Sequence, residues 1–414
     1  SGGVRLPLPL QAELLSQAPG QYEIAGANGF RRTIGGGERH CVAIVTDPWI
    51  LDYGAPSRRH PSLEDVRRHT RIAQRLDEVG AISLMDYPVT DRPGPHSSLH
   101  ALEAFLLSHA KHLYVLATSL ESLDRYLLLA EVLAEGRNLP MMTVGVASLS
   151  PLTLTAMNGD LLLRACEHGM PIVPTVCPMA GATGPYGNSG MLLLGHAENL
   201  FMAALAQMVR PGHPFLYAQG PSITDMRSGE DLYYTLDKVL WKLASAQLGR
   251  ACGLPTTAEC GGTMPSRHDV QSGAEGLLFM LSAWESGADV LAGIGSCGNA
   301  VAMSGEMMVL QTGWLAAARF LGDGIRVSVD ADMDSIRRVG PGGQFMDDAL
   351  TLERLRSGEF FDGELFDYGD GEAMLARAHA LAEELSAEAD SPLPGEMQEG
   401  VRRLLRDEYA RAES

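Results

Sequence analysis

Residues 171–209 read "PIVPTVCPMAGATGPYGNSGMLLLGHAENLFMAALAQMV" and fall into three pieces. The first, 171–177, is a short apolar run rich in β-branched residues, the composition of a buried strand. The second, 178–190, is crowded with glycine, proline and alanine, with Tyr186 as its one aromatic. The third is a long apolar stretch of helical length. Strand, loop, helix is the βα unit of a parallel sheet. The small residues of the loop suit a main chain that lies close against something large or flat.

The same rhythm spreads outward. Apolar runs occur at "AISLM" (81–85), "HLYVLAT" (112–118), "MMTVGVA" (141–147), "PFLYAQG" (214–220), "PTTAEC" (255–260) and "DVLAGIG" (289–295), each followed by a helical pattern. An eighth strand is expected in "NAVAMSGEMMVLQ" (299–311). Eight units predict an α/β fold, a TIM (β/α)8 barrel, with a doubly wound open sheet as the alternative. Ahead of it, "CVAIV" (41–45) and "WILDYG" (49–54) predict an N-terminal β-hairpin. Ser62, Glu64 and Asp65 then open a helix that Gly80 closes. The expected divisions are an N-terminal segment (1–60), the barrel (61–328) and a C-terminal helical extension packed on it (329–414).

Composition sets bounds on function. Of 414 residues, 45% are hydrophobic and 20% charged, an ordinary globular mix. A net charge of −19 argues against nucleic acid and anionic membrane surfaces, which attract Lys and Arg. No apolar run is read as a membrane span. Six cysteines without a CxxC pair predict a reducing, cytoplasmic setting.

Active sites of parallel barrels lie at the carboxyl ends of the strands. Those ends read Asp86-Tyr87-Pro88, Thr118, Ala147, Cys177-Pro178, Gln219-Gly220, Glu259-Cys260-Gly261-Gly262 and Gly295-Ser296-Cys297-Gly298. They hold no Lys, no His and no evident carboxylate pair, so acid–base chemistry has few candidates. Three cysteines among them, Cys177, Cys260 and Cys297, leave a zinc-thiolate site open, beside a reading as small buried hydrophobes. His196 and Glu198, two apart on a helix, face different ways and make poor joint ligands. His100, His109 and His112 are expected at the surface.

The stretch 177–230, "CPMAGATGPYGNSGMLLLGHAENLFMAALAQMVRPGHPFLYAQGPSITDMRSGE", closely resembles the trimethylamine methyltransferase family, as do "SRHDVQSGAEG" (266–276) and "GPGGQF" (340–345). The resemblance implies a TIM barrel that moves a methyl group from a methylated amine to the cobalt of a corrinoid (cobalamin-type) cofactor on a separate protein. Some family members carry pyrrolysine, expected here near Glu259 to Thr263. The segment reads "ECGGT", so the resemblance points to the pyrrolysine-free branch, similar to glycine betaine:corrinoid methyltransferases. A quaternary ammonium already bears a good leaving group, so its demethylation asks for orientation and desolvation without an acid or base.

Such a cation calls for aromatic faces and a nearby carboxylate. The substrate-binding candidates are therefore Tyr87, Tyr186, Tyr217 and Phe345 as cage, with Glu259 for charge. Gln219, Asp225, Arg227, Gly261, Gly262 and Gln344 complete the expected substrate-binding set, with Arg227 or a Gly-loop N–H to hold a substrate carboxylate. Asp225 and Arg227 are equally readable as a loop-stapling ion pair. No single residue is assigned as catalytic, and no metal is expected. Gln344 and Leu350-Thr351 depart from the family pattern. The alternatives carried are a zinc-thiolate methyltransferase and a non-catalytic quaternary-amine-binding barrel; homo-oligomer assembly stays open.

Overall fold

The computed structural model describes residues 3–85, 89–94, 96–367 and 371–412. Seven parallel strands make one sheet, in the spatial order Thr257–Glu259, Val290–Ile294, His40–Ile44, Val79–Ser83, His112–Val115, Met142–Ser148 and Ile172–Val176. Its two edges are joined by residues 215–217. Phe215 bridges Ile172 and Tyr217 bridges Thr256, both in parallel sense. The Leu216 N–H donates to the Ile172 carbonyl at 2.8 Å, and the Tyr217 N–H to the Pro255 carbonyl at 2.8 Å. Eight strands thus close a ring with a helix after each, and the open-sheet alternative falls. Among the described residues the ring itself leaves no open edge.

The ring is shifted by one strand from expectation. The run at 41–45 is the first barrel strand, held between Val290–Ile294 and Val79–Ser83. It does not form a hairpin with 49–54, and the barrel starts within the segment expected outside it. Conversely, 299–311 holds no barrel strand: Ala302–Met303 is a two-residue strand beside the ring, and Gly305 begins the helix that follows the eighth strand, Gly305–Asp323. The apolar character of 305–311 reflects a helix buried on most sides. The mistake has a physical source: short apolar runs of strand and helix look alike without a period to separate them.

An N-terminal hairpin does exist, built from Tyr22–Ala25 and Arg31–Ile34. Tyr22, Ile24 and Ile34 pack against Val42, Ala81, Val173, Leu216 and Val290, one inward residue from each of five barrel strands. The hairpin therefore plugs the amino-terminal end of the barrel, leaving a void of only about 10 Å³ there. His112 fastens it, one ring nitrogen on the Ala25 carbonyl (2.8 Å) and the other on Thr143 Oγ1 (2.9 Å). His109 and His112 are both buried, against expectation. Burial holds the His112 imidazole down at about 4, so it serves as a neutral strut.

Local signals explain several helix starts. Ser62 and Asp65 form a capping box on Leu63–Arg75, and Asp269 with Ser272 does the same on Val270–Glu285. Among the described residues one helix, Asn188–Val209, is long and apolar enough by length and composition to cross a bilayer, contrary to the sequence reading. Here it packs against helices Leu8–Leu15, Ala156–Glu167 and Asp237–Ala251, and buries the polar Glu198, Asn199 and Gln207. In the extension, Met374–Ser386 lies on Gly305–Asp323 and Leu63–Arg75, and Gly395–Ala412 lies on Leu120–Leu133 and Ser97–Leu106. Ala378, Ala382, Val401 and Leu405 join the main core.

Candidate active site

Alternation along the seventh strand decides which way Glu259 points. Ala258 and Cys260 belong to the outer core between strands and helices, so Glu259 between them faces the barrel axis. Two side chains from the stretch after the sixth strand meet its carboxylate, and a third packs beside them. The Tyr233 hydroxyl donates to Oε1. The Lys238 ammonium stands 3.1 Å from Oε2 and 2.9 Å from the centre of the Tyr233 ring. Tyr234 packs edge-on to Tyr233, with ring centres 5.1 Å apart, and its own centre is 5.7 Å from Lys238 Nζ. One turn along the helix Asp237–Ala251, Lys242 Nζ donates to the Glu259 carbonyl (2.6 Å) and lies 4.0 Å from the Phe279 ring centre.

Gly220, at the end of the sixth strand, shows how tightly this group is drawn together. A Cβ there would lie 2.6 Å from the Tyr233 hydroxyl, 3.1 Å from Cys177 Sγ and 3.3 Å from Glu259 Oε1. Glycine is required by close approach. Gly261 and Gly262 are needed for similar reasons. A Cβ on Gly261 would strike the Gly293 carbonyl, and one on Gly262, whose φ is +114°, would strike the Tyr234 ring. They seat the eighth strand and Tyr234.

The electrostatics follow from burial. Lys238 is fully buried, and desolvation lowers its ammonium from the usual lysine range against the pull of Glu259. Burial takes Lys242 down to about 7, again opposed by Glu259. Across the mouth Asp47, 4% exposed after the first strand, faces Tyr234 and Cys297, and burial pushes its carboxyl well above the usual range. Burial also pushes the Cys177 thiol up to about 11 and raises Cys297 further. Cys260 turns into the outer core, where its Sγ donates to the Ala292 carbonyl at 3.3 Å, away from Cys177 at the mouth, which disfavours the zinc-thiolate reading. Among the described residues no three His, Cys, Asp or Glu converge on a metal position.

The structure sorts the sequence candidates. Glu259, Gly261 and Gly262 belong to the mouth. Tyr217 and Gln219 do not: both face the helix Asn188–Val209, where the Tyr217 hydroxyl meets His196 Nδ1 at 2.8 Å and Gln219 Nε2 at 2.5 Å. Strand alternation turns them outward, so Tyr217 is no cage residue. Glu198 leaves the same helix on another side, bonding Ser150 Oγ (2.8 Å) and the Leu152 N–H (2.7 Å). Asp225 accepts from the backbone N–H of Arg227 (2.9 Å) and from Ser228 Oγ (3.0 Å). This staples the loop without the guanidinium. Gln344 and Phe345 lie in the extension, where Phe345 lines a groove with Ile336, Leu350, Leu355 and Phe360. Tyr87 lies outside the described residues.

Tyr186 is 71% exposed, against Gly181 and beside Met226, itself 68% exposed. The loop between them is a tight turn: the N–H groups of Ala182, Thr183 and Gly184 all donate to the Met179 carbonyl at 2.9–3.0 Å. The outcome is a low rim of backbone and apolar side chains.

Sequence reasoning missed Asp47, Tyr233, Tyr234, Lys238 and Lys242, so the mouth is not poor in ionisable groups. The available signal was "DLYYTLDKVLWK" (231–242), an aromatic pair ahead of two lysines four apart on an otherwise apolar helix face.

A family model described as trimethylamine methyltransferase (MTTB) matches residues 2–408. The chain is similar to a glycine betaine methyltransferase of Desulfitobacterium hafniense (strain Y51), 27% identical over 366 residues, 85% of this chain and 75% of that protein. It is similar to trimethylamine methyltransferase MttB of Methanosarcina barkeri, 23% identical over 386 residues, 90% of this chain and 75% of that one. A proline betaine:corrinoid methyltransferase of Eubacterium limosum is 28% identical over 211 residues, half of this chain and 44% of its own length. Among solved structures, the hydroxylamine MtmB complex superposes with a TM-score of 0.53 at 12% identity, covering 99% of this chain and 81% of that one, a likeness of fold.

Proposed function

Because this chain belongs to the trimethylamine methyltransferase family, we propose that it transfers a methyl group from a quaternary amine of the glycine betaine class to a corrinoid carried by a separate protein. The observation that carries this reading is the ammonium of Lys238 held between the Tyr233 ring and the Glu259 carboxylate. An aromatic face and a carboxylate are what a methylated ammonium needs, and desolvation makes the cation–π contact worth roughly 2 kcal/mol. Tyr233 and Glu259 bind the cation, Tyr234 walls it, and Lys242 fixes the Glu259 backbone.

The corrinoid supplies cobalt(I), a nucleophile strong enough to take a methyl group from a cation whose leaving group is a neutral tertiary amine. The rim fits a flat macrocycle: a tight backbone turn at 179–184 flanked by the exposed Tyr186 and Met226. What the protein contributes is orientation and exclusion of water, and the site here reads as built from standard residues, without pyrrolysine.

Incubating the protein with glycine betaine, tetramethylammonium or trimethylamine and reduced free cobalamin, and following the cob(I)alamin absorbance, tests the reading. Turnover with the quaternary amines supports it. Tight binding of the amines with no change in absorbance would leave a binding barrel instead.

A further inference from the structure

We propose that Lys238 is an internal occupant of the substrate's cation site, displaced when a quaternary ammonium binds. The inference rests on the reading of the Tyr233–Glu259 group as that site. It explains why a lysine lies where no lysine side chain is well served. Lys238 Nζ is buried and makes no well-aligned hydrogen bond among the described residues, although Glu259 Oε2 is 3.1 Å away. An ammonium carries three N–H donors, and each one buried without an acceptor is costly. A trimethylammonium group has no N–H at all and loses nothing there. The cage is thus better matched to a methylated cation than to the ammonium that fills it.

Two cations cannot share the cage. The groups facing Lys238 are Glu259 from the seventh strand, Cys177 after the fifth, Asp231, Tyr233 and Tyr234 from the stretch after the sixth, and Lys242 on its own helix. Glu259 and Asp231 favour the proton on Lys238; burial and Lys242 disfavour it. Adding a permanent positive charge beside Glu259 tips that balance, and the Lys238 proton passes to solvent. The sign is fixed: binding of a quaternary amine tightens as pH rises, and levels off once Lys238 is neutral in the free protein. Specificity follows as well, since the entering cation must outcompete a tethered ammonium at high effective concentration.

The test is calorimetric titration of the full chain with tetramethylammonium chloride in two buffers of different ionisation enthalpy. The wild type is expected to release protons on binding wherever Lys238 is charged in the free protein, by linkage. Lys238→Met is expected to bind about tenfold tighter and to release fewer protons than the wild type, Lys242 beside Glu259 being the remaining source. Weaker binding of tetramethylammonium by Lys238→Met, or binding by the wild type without proton release, overturns the proposal while leaving the site's function standing. A loss of affinity for glycine betaine alone would make Lys238 a partner for the substrate carboxylate, and also overturns it. Failure of every methylated ammonium to bind the wild type sinks the functional reading itself. Should Lys238→Met not fold, Lys238→Gln is titrated in the same two buffers, with the same expectation of tighter binding and fewer protons released.

Discussion

Asn299 holds Tyr233 from the far side of the mouth: its Oδ1 accepts the Tyr233 backbone N–H at 2.7 Å, and its Nδ2 donates to the Asp231 carbonyl at 2.6 Å. The residue adopts a φ of +60°, a conformation asparagine tolerates better than most. The loop after the eighth strand thereby clamps the stretch that carries the aromatic cage. Asn299→Gly keeps the backbone shape and removes both bonds. Expected are faster amide hydrogen exchange at 231–235 and roughly tenfold weaker binding of tetramethylammonium, with a stability loss of about 1–2 kcal/mol. Unchanged exchange at 231–235 would show that the clamp is dispensable.

Glu259→Gln keeps the shape of the side chain and removes its charge. Quaternary-amine affinity is expected to fall roughly 100-fold, the scale for truncating one partner of a desolvated charge pair. Lys238 loses its counter-charge at the same time, and urea midpoints should drop by the equivalent of about 3 kcal/mol. An affinity within twofold of wild type would remove Glu259 from the site.

Gly220→Ala tests how tightly the mouth is drawn. The new methyl group arrives 2.6 Å from the Tyr233 hydroxyl, and the tyrosine must give way. The strand itself needs no special backbone angle at this position, so the cost should fall on the site: a stability loss of about 1–3 kcal/mol and a larger proportional loss of cation binding. A crystal structure of the variant with Tyr233 unmoved would contradict this.

Lys111 offers a pH test remote from the mouth. Its Nζ donates to the carbonyls of Ala73 (2.9 Å) and Leu76 (2.6 Å) at the end of the helix Leu63–Arg75, and burial lowers its pKa to about 7. Between that value and the ordinary lysine range the unfolded chain holds the extra proton. The penalty is therefore full at low pH and is relieved as pH rises. Compared with Lys111→Met, the wild type should gain stability with a steeper slope, by up to about 1.4 kcal/mol per pH unit between about pH 7 and 8.5. Urea unfolding of both proteins across that window measures the difference.

The alternation of apolar runs with helical stretches made the barrel legible, because burial on both faces of a parallel strand leaves a mark that survives divergence. What it did not show was where the ring begins. Reading 41–45 as half a hairpin hid Thr46 and Asp47 from the inventory of strand ends, and a buried helix at 305–311 took the place of the missing strand. Glu259 was found because it ends a recognisable strand. Tyr233 and Lys238 were not, since they reach the mouth from a connecting stretch and the first turn of a helix, where no rule of strand ends applies. Tyr217 misled in the opposite direction: its position is at a strand end, and only the parity of the strand, Leu216 inward and Tyr217 outward, turns it away.

The hairpin Tyr22–Ile34 corks one end of the barrel, and among the described residues that leaves the other end as the door. Under the proposed reaction the amine must be seated before a partner's cobalt covers that door, and the demethylated product stays inside until the partner withdraws. Traffic through the enzyme is thus compulsorily ordered, and an excess of partner protein should hinder turnover by shutting out the next amine.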